Sequence, residues 1–278
     1  METKTIVYRV KNLNEIQSHL KNNSQIKPVA GATGFLYNQQ EEKIKLPKYL
    51  ISLDGVKELS TTTKTERYIE IGATVTLKKI VSLGKKNIPE ILHKAISEMS
   101  ISNIQTLATI GGNIASASPL NSCTAPLIAL DAKLEIRTAN ELEWIPLVKY
   151  YDKTLTEYRN KPHVITKIKI ETEAWTYSFY TRLGPKSIIT DETAYFIFMI
   201  NSQKKLITKM RLIFADNNLM RKKEFENILL GRILPLSTKD IPQIIEKAKV
   251  VFKIDEFKSE YHYNCFFNLL KKCLFELV

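Results

Sequence analysis

The sequence predicts an α+β fold with an N-terminal part of short mixed elements and a C-terminal part of strands followed by helices. Three observations lead to this prediction. Two glycine-rich segments, near residues 30 and 110, interrupt the apolar segments of the first 172 residues. Apolar residues in that part recur at both strand and helix spacing. Beyond about Trp175 the glycine-rich segments stop, and three strand-like segments precede three helix-like ones, which is typical of a separate α+β domain.

Composition limits the class of protein. The chain has 278 residues, of which 44% are hydrophobic and 25% charged, so it can bury a substantial core in two or three domains. No apolar run approaches the roughly 20 residues that span a bilayer, and the first residues lack an apolar secretory segment. We therefore expect a cytoplasmic protein without a membrane partner. The three cysteines show no CxxC spacing, and we expect neither a disulfide framework nor a metal site.

The formal net charge is +12, which raises the question of nucleic-acid binding. The lysines are spread from end to end, in short doublets at most, and no aromatic residues are interleaved with them in a stripe. This pattern is more typical of a solvated surface, and we expect no nucleic-acid partner. The charge still favours an anionic cofactor or an acidic partner subunit through long-range attraction.

The first 57 residues predict a small βαβ unit. Asn12 is a plausible cap for a helix over residues 13–20, and residues 49–53 form the closing strand. Between them, a short strand runs into Gly31 and Gly34 and then into a new helix. This geometry directs backbone N–H groups towards phosphate, although a single pair of glycines three apart is more often an ordinary turn.

Residues 58–172 predict a mixed α/β subdomain, and residues 173–278 a three-stranded antiparallel sheet with three helices. Residues 61–63 are interpreted as a hairpin tip. The predicted strands cover residues 68–74, 132–137, 164–170, 175–182, 193–200 and 207–214. The predicted helices cover residues 77–81, 88–99, 124–130, 222–230, 239–250 and 259–277.

The second glycine segment, residues 108–122, has the highest density of special backbone chemistry in the chain. Gly111 and Gly112 remove Cβ atoms where the backbone must turn or approach another group closely, and small hydroxyl and amide side chains surround them. We interpret it as a buried or half-buried loop that cradles phosphate. A Gly-Gly pair alone is more often a structural turn.

Both glycine segments resemble a known family. Residues 30–36 resemble the A-G-G-T-D-L-L loop, and residues 109–119 the T-I-G-G-N-I-x-x-A-S-P loop, of the FAD-binding medium subunits of molybdenum hydroxylases. These are enzymes of the xanthine dehydrogenase and carbon monoxide dehydrogenase type. Residues 71–74 and 129–136 resemble the intervening and following strands of the family, and Asp255 through Tyr261 resembles its D-x-R-x-S-x-x-Y segment. The resemblance covers nearly the whole chain.

The resemblance implies non-covalent FAD, held between a two-part N-terminal domain and a C-terminal domain, with the two glycine loops around its diphosphate. It also places a strand residue near Ile165, and the segment around Tyr180, close to the flavin ring. The first implied group of cofactor-binding residues is Lys27, Pro28, Val29, Ala30, Gly31, Ala32, Thr33 and Gly34. The second group is Ala73, Thr109, Ile110, Gly111, Gly112, Asn113, Ser116, Ser118, Ser122, Ile165 and Tyr180.

Several residues depart from the family pattern. Ala32 replaces the second glycine of the first loop, and Gly34 replaces its aspartate. Gln105, Ser122 and Tyr180 stand where relatives often carry Arg, Asp and Lys. Because backbone donors survive these changes, we expect FAD to bind, with the adenosine contacts less well supported than the diphosphate contacts.

Simpler interpretations remain for individual residues. Thr33 and Thr109 are also interpretable as helix caps, Ile165 as a core strand residue and Tyr180 as an ordinary packing residue. The four histidines are dispersed, so no covalent flavin anchor is expected, and no acid or base stands out.

For the whole protein we expect a cytoplasmic FAD-binding electron-transfer subunit of a heterotrimer. Its partners would be an iron–sulfur subunit and a molybdopterin-containing large subunit, with NAD+ or another electron acceptor. The alternatives are a stand-alone flavin oxidoreductase of the related fold and a non-catalytic assembly subunit that has lost FAD.

Overall fold

The computed structural model describes residues 4–37, 45–99, 102–152 and 161–278. The chain forms two compact units. The first unit comprises Met1–Ser118 and Leu130–Thr172, and the second comprises Pro119–Ala129 and Glu173–Val278. The finer division at residues 57 and 58 stays a prediction. The units are described separately below.

The first unit begins with a three-stranded parallel sheet. Strands β1 (Ile6–Arg9), β2 (Lys27–Val29) and β3 (Tyr49–Ser52) are arranged in the order β1-β3-β2, and both pairings are parallel. Helix α1 (Leu13–Asn22) connects β1 to β2 and is capped by Asn12, whose side chain accepts a hydrogen bond from the Glu15 amide. The short helix α2 (Thr33–Tyr37) follows β2. The predicted βαβ unit is therefore confirmed, with β1 as an additional strand.

A five-stranded antiparallel sheet forms the rest of the first unit's β structure. Its order is β4 (Thr62–Lys64), β5 (Tyr68–Gly72), β8 (Val164–Glu171), β6 (Lys133–Arg137) and β7 (Leu142–Pro146). The interpretation of residues 61–63 as a hairpin tip is wrong, since two of these threonines open β4. β-Branched residues fit a pleated surface well, and the turn follows at residues 65–68 instead.

Short helices connect these strands. They are α3 (Leu77–Ser82), α4 (Glu90–Ser97), α5 (Ser102–Leu107), α6 (Ile110–Ala115) and α8 (Leu147–Tyr151), with a 3₁₀ helix at Lys57–Ser60. Helices α3 and α4 bury their apolar faces, including Ile80 and Leu92.

The second unit contains an antiparallel sheet in the order β12-β11-β10-β9. Its strands are β9 (Tyr177–Leu183), β10 (Ala194–Gln203), β11 (Leu206–Ala215) and β12 (Leu219–Met220). Three strands were predicted, and the two-residue β12 is a fourth that is too short to give a periodic signal. The helices are α7 (Thr124–Ala129), α9 (Lys223–Leu229), α10 (Asp240–Val251) and α11 (Glu260–Phe275), with a 3₁₀ turn at Ile254–Glu256.

Aromatic side chains fill the core of the second unit. Phe196 and Phe214 of the sheet pack against Phe266 of α11, with ring centroids 5.9 and 5.6 Å apart. The ring centroids of Phe252 and Phe266 are 4.7 Å apart. These rings are fully buried, so they supply much of the apolar area that holds the helices on the sheet. Among the described residues, no helix has the length and hydropathy of a membrane-spanning segment.

Candidate functional site

The second glycine segment is a helix N-terminus rather than a loop. Gly111 and Gly112 lie inside α6, and neither has a positive φ angle. Thr109 is the N-cap residue, and its Oγ1 accepts a hydrogen bond from the Gly112 amide at 3.1 Å. The interpretation as a loop is therefore wrong, because Thr109 begins a regular helix and the glycines follow in its first turn. The other role expected for the glycines, close approach to another group, is found at Gly111.

Close packing explains the glycine at position 111. A Cβ atom there would lie 2.6 Å from the Ala73 Cβ and 2.8 Å from the Ala73 carbonyl oxygen. Residue 73 directly follows β5, so α6 approaches the end of that strand as closely as a backbone can. A Cβ atom at Gly112 would instead lie 3.0 Å from Thr109 Oγ1, with no other neighbour outside the helix backbone within 4 Å among the described residues. Gly111 is therefore a packing residue, whereas position 112 has more space.

The first four amides of α6 all have acceptors within the protein. The Ile110 amide donates to the Val75 carbonyl at 3.0 Å, and the Gly111 amide donates to the Ala73 carbonyl at 2.9 Å. Gly112 donates to Thr109 Oγ1, and Asn113 donates to the Thr109 carbonyl at 2.9 Å. The amides of Ile110, Gly111 and Gly112 are donors that a helix start normally leaves free, whereas the Asn113 bond is the first bond of the helix itself. The Ile110 and Gly111 amides hold α6 against the segment that follows β5.

The first glycine loop, residues 30–34, is built differently. Strand β2 ends at Val29, and Ala32 then adopts a left-handed conformation with φ of 55°. A glycine adopts this conformation without strain, whereas an alanine pays about 1–2 kcal/mol for it. Ala32 thus stands at a position where the backbone favours the glycine that the sequence lacks.

Gly31 brings this loop into direct contact with the second glycine segment. A Cβ atom at Gly31 would lie 1.7 Å from the carbonyl oxygen of Leu107, which is closer than any side chain allows. Leu107 ends α5 and precedes Thr109 by two residues. The two glycine segments are far apart along the chain, and they meet here through their backbones.

The first glycine loop carries free donors. The amide N–H groups of Gly31, Ala32, Thr33 and Gly34 have no hydrogen-bond acceptor within the described part of the chain. A Cβ atom at Gly34 would meet nothing within 4 Å, so open space lies beside these donors. Successive free amides at a turn are a typical anion-binding arrangement.

The remaining predicted residues of the first unit lie around these two segments. Lys27 and Pro28 belong to β2 together with Val29, and Ala30 packs on the core beneath the sheet. Asn113 lies on α6, and Ser116 is the C-cap residue of that helix. Ser116 Oγ donates to the Asn113 carbonyl at 3.1 Å, and Ser118 follows as a half-buried residue.

Ile165 is a buried residue of β8, opposite Ile136 of β6. Its neighbour Thr166 accepts a hydrogen bond from the Ala73 amide through its carbonyl, at 3.0 Å. Backbone hydrogen bonds therefore connect β8 at Thr166 to Ala73, and Ala73 to Gly111 of α6. The simpler reading of Ile165 as a core residue matches its burial.

Two predicted residues, Ser122 and Tyr180, belong to the second unit. Ser122 is buried, and its Oγ lies 3.4 Å from the hydroxyl of Tyr195, which donates to the Leu120 carbonyl at 3.0 Å. Tyr180 of β9 stacks on Tyr195 with ring centroids 6.3 Å apart. Burial raises the pKa of the adjacent Cys123 thiol to about 12, so this cysteine stays protonated and unreactive.

The hydrogen bonds of four aromatic or imidazole side chains were missed by sequence reasoning. Tyr151 donates to the Ile114 carbonyl at the end of α6, at 3.3 Å, and Tyr195 anchors the segment around Ser122. Tyr150 contacts His163 Nε2 at 3.0 Å, while His163 Nδ1 contacts the Lys161 carbonyl at 2.9 Å. Their partners are distant in sequence or outside any motif, so spacing gives no signal for them.

Burial lowers the pKa of His163 below its ordinary value. Its hydrogen bond to the Lys161 carbonyl acts in the opposite direction, and the positive charge of Lys27 lowers the pKa further. Lys27 begins the strand that leads into the first glycine loop, so a second fixed cation beside it is disfavoured at neutral pH.

Comparison with known proteins decides the family. Residues 2–171 match the family described as the FAD binding domain in molybdopterin dehydrogenase. The chain belongs to this family.

Curated relatives of this FAD-binding family are distant in sequence. The glyceraldehyde dehydrogenase medium chain of Sulfolobus acidocaldarius is 24% identical over 164 residues, which cover 58% of this chain and 58% of the relative. The abscisic-aldehyde oxidase of Arabidopsis thaliana is 25% identical over 286 residues, covering 92% of this chain and 21% of the relative. The chain thus spans less than two thirds of the length of either protein.

Solved structures agree with the fold over its full length. A chain of the CO dehydrogenase of Oligotropha carboxidovorans gives a TM-score of 0.80 at 17% identity, with 98% of this chain and 96% of that chain covered. A chain of the quinoline 2-oxidoreductase of Pseudomonas putida 86 gives 0.78 at 16% identity, with 100% and 98% covered. These matches confirm the predicted α+β fold.

The backbone of the first glycine loop fits an anionic diphosphate, although Ala32 and Gly34 depart from the family pattern. Residues 31–34 supply four free amides next to open space, and the approach of Gly31 to Leu107 fixes their direction. Among the described residues, no cluster of His, Cys, Asp and Glu has the arrangement of a metal site. The donor set is therefore suited to phosphate oxygens.

Gln105, which departs from the family pattern, has a structural role. Its side-chain amide donates to the Ile96 carbonyl at 3.1 Å and to the Met99 carbonyl at 2.6 Å. It thereby ties α5 to the end of α4.

Proposed function

We propose that this chain is the FAD-binding electron-transfer subunit of a molybdenum hydroxylase complex. Its partners are an iron–sulfur subunit, from which electrons arrive, and a molybdopterin-containing large subunit that hydroxylates the substrate. NAD+ or another acceptor takes the electrons onward. The proposal rests on membership of the FAD-binding family and on one structural observation, the four free amides of residues 31–34.

The first glycine loop is proposed to hold the FAD diphosphate. Hydrogen bonds to a charged group contribute about 1.5–3 kcal/mol each, so four of them reach the roughly 8 kcal/mol of micromolar binding before ordering and desolvation costs. Thr33, at the start of α2, adds a hydroxyl to the same region. Lys27, two residues before Val29 in β2, adds a positive charge near the start of the loop.

The α6 turn, residues 109–113, is proposed to position the first loop rather than to donate most of the hydrogen bonds. The amides of residues 110–113 are already used, and the role of this turn is to bring the backbone of Leu107 against Gly31. We propose that Gly112 borders the site, because it is exposed and because a Cβ atom there would contact Thr109 Oγ1, its own hydrogen-bond acceptor, at 3.0 Å. The hydroxyls of Ser116 and Ser118 are further candidate contacts.

FAD, when bound, supplies the redox chemistry, and the protein supplies binding, orientation and exclusion of water. No side chain of this chain is assigned as an acid or a base. Ile165, Ser122 and Tyr180 remain proposed contacts of the cofactor, and the resemblance to the family supports Tyr180 and Ile165 as candidates near the flavin ring.

Native mass spectrometry of the purified complex tests this function. We expect a yellow heterotrimer in which this chain carries one non-covalent FAD, released into the supernatant by acid precipitation. A yellow monomer that reduces a small substrate would indicate a stand-alone flavin oxidoreductase. A colourless protein that still assembles with both partners would indicate an assembly subunit without FAD, and either outcome contradicts the proposal.

Replacement of Gly112 by valine tests the role of the glycine segments within the complex. The larger side chain should abolish flavin retention while leaving the far-ultraviolet circular dichroism spectrum nearly unchanged. Full flavin occupancy in Gly112→Val would show that position 112 does not border the cofactor.

A further inference from the structure

A small apolar surface lies at one end of the sheet in the second unit. Three large aliphatic residues there are exposed, namely Leu206 at 42%, Leu230 at 40% and Ile233 at 68%. They come from the start of β11 and from the segment that follows α9. Leu206 and Ile233 are partners in an antiparallel bridge, and Leu230 lies three residues before Ile233 in the chain. Single exposed aliphatic residues are ordinary, whereas a local group of them is typical of an interaction site. This group of three residues is called the apolar platform below.

Backbone hydrogen bonds hold the apolar platform in a fixed arrangement. Leu206 and Ile233 form an antiparallel bridge, and the Ile207 amide donates to the Arg232 carbonyl at 2.9 Å. The Gly231 amide donates in return to the Ile207 carbonyl, also at 2.9 Å, and the Leu234 amide donates to the Lys205 carbonyl at 2.7 Å. A preformed apolar surface loses little conformational entropy on binding, which favours its use as a docking site.

The turn next to the platform is strained. Lys204 and Lys205 join β10 to β11 as a two-residue turn, with φ angles of 49° and 67°. Such turns strongly favour Asn-Gly, because both positions need a positive φ angle. Two consecutive lysines carry backbone strain that Asn-Gly avoids, and retained strain often marks a functional position.

The two lysines also lack partners. Neither ammonium group has an acidic residue within ion-pair distance in the part of the chain that the structure describes. Arg232, by contrast, is paired with Asp240 at 3.4 Å. The platform is thus flanked by two uncompensated positive charges on a rigid turn.

We propose that the apolar platform and the Lys204-Lys205 turn form a docking site for an acidic polypeptide segment with interspersed aliphatic side chains. The aliphatic side chains of the segment contact Leu206, Leu230 and Ile233, and its carboxylates pair with the two lysines. This inference does not rest on the FAD-binding function.

Charge selects this occupant over a second copy of the chain. A symmetric contact through this surface would place the lysine pairs of two copies against each other, and each copy carries a formal charge of +12. An acidic partner instead gains charge complementarity at the turn. An anionic membrane has similar charge and is the competing occupant that the experiment must distinguish.

Fluorescence anisotropy with a labelled peptide of alternating leucine and glutamate tests the docking site on the full chain. A matched peptide with lysine in place of glutamate serves as the probe control. We expect the acidic peptide to bind and the basic peptide not to bind. Equal binding of both peptides, or no binding of the acidic one, overturns the proposal.

Replacing the turn by Lys204→Asn together with Lys205→Gly separates function from stability. The variant should raise the melting temperature, because strain is removed, and weaken binding of the acidic peptide about tenfold through loss of two charge pairs. Unchanged affinity in this more stable variant contradicts the proposal. Lys85→Gln with Lys86→Gln removes the same charge from the first unit and should leave the affinity unchanged.

Two further measurements complete the test. Ile233→Ser should weaken peptide binding with little change in melting temperature, since that side chain is mostly exposed, and unchanged affinity would exclude the platform. Co-sedimentation with vesicles of phosphatidylcholine and phosphatidylserine should be weak in the wild type. Strong vesicle binding that is lost in the Asn-Gly variant would assign the surface to a membrane and overturn the proposal of a polypeptide partner.

Discussion

The two glycine segments look alike in the sequence but differ in what their backbones do. In the α6 turn, the amides of Ile110, Gly111, Gly112 and Asn113 are all satisfied by protein acceptors. In the first glycine loop, the four amides of residues 31–34 have no acceptor among the described residues. One segment therefore serves packing, and the other offers donors. A glycine-rich motif alone does not distinguish these roles, because both need a missing Cβ atom.

This difference gives the two segments separate roles in the candidate site, one as a support and one as a source of hydrogen-bond donors. The α6 turn is held by Ala73 and Val75, so it provides a rigid support. The first glycine loop packs against the backbone of Leu107 through Gly31, and its free amides lie beside open space at Gly34. Substitutions in the two segments should consequently separate stability from cofactor binding.

The largest effect is expected for Gly31→Ala. Its Cβ atom would overlap the Leu107 carbonyl oxygen at 1.7 Å, so the backbones of both segments must move. We expect a loss of about 3 kcal/mol or more in the free energy of unfolding, together with loss of FAD. Gly34→Ala is the matched control, since its Cβ atom meets nothing within 4 Å. Equal stability of the two variants in urea unfolding would disprove the contact.

A smaller loss, about 1–2 kcal/mol, is expected for Gly111→Ala. The added Cβ atom would clash with Ala73, while the higher helix propensity of alanine offsets part of the cost. Combining it with Ala73→Gly removes the contact between the two Cβ atoms and should recover part of the loss. The Ala73 carbonyl oxygen stays at 2.8 Å, so recovery should be incomplete. Strict additivity in the double-mutant cycle would show that the two positions are not coupled.

A gain in stability is expected for Ala32→Gly. Relief of the left-handed strain outweighs the greater freedom of glycine in the unfolded chain, for a net gain of about 0.5–1 kcal/mol. Ala30→Gly, two residues away at a position without a positive φ angle, should destabilise by a similar amount. Chemical denaturation of both variants checks the pair, and a loss of stability in Ala32→Gly would contradict the assigned conformation.

The smallest effect concerns pH. The folded-state pKa of His163 lies below the ordinary value of 6.5, so the unfolded chain binds a proton more readily than the folded chain in that interval. The free energy of unfolding should therefore decrease as the pH falls from 6.5 towards the folded-state pKa of His163. Below that pKa, His163 should cause no further decrease. Melting temperatures from about pH 8 to about pH 5 should decline less in His163→Gln than in the wild type. An unchanged slope would show that His163 does not titrate in this way.

Local patterns predicted much of the fold. Asn12 caps α1 as expected, and the βαβ unit and the strands and helices of the second unit follow from hydrophobic spacing. Several elements escaped prediction, among them β1, β7 and α5. For two other features the physical reason is clear. Residues 61–63 have strand propensity that their polarity conceals, and β12 is stabilised by pairing with β11 rather than by its own two residues.

The candidate site was less accessible from the sequence. The resemblance identified both glycine segments, but their hydrogen bonds depend on contacts across more than thirty residues, such as Gly111 with Ala73. The left-handed conformation of Ala32 was not predicted, since alanine rarely adopts it. Tyr195, which anchors the segment around Ser122, is 73 residues from Ser122, and no motif connects the two.

Amide spectra of glycine labelled with nitrogen-15 test the central claim most directly, because the chain has only nine glycines. Titration with FAD should shift the amide resonances of Gly31 and Gly34 strongly, as their free N–H groups gain phosphate acceptors. The Gly111 resonance should move little, since its amide already donates to Ala73. Large shifts at Gly111 with unchanged Gly31 and Gly34 would contradict the account.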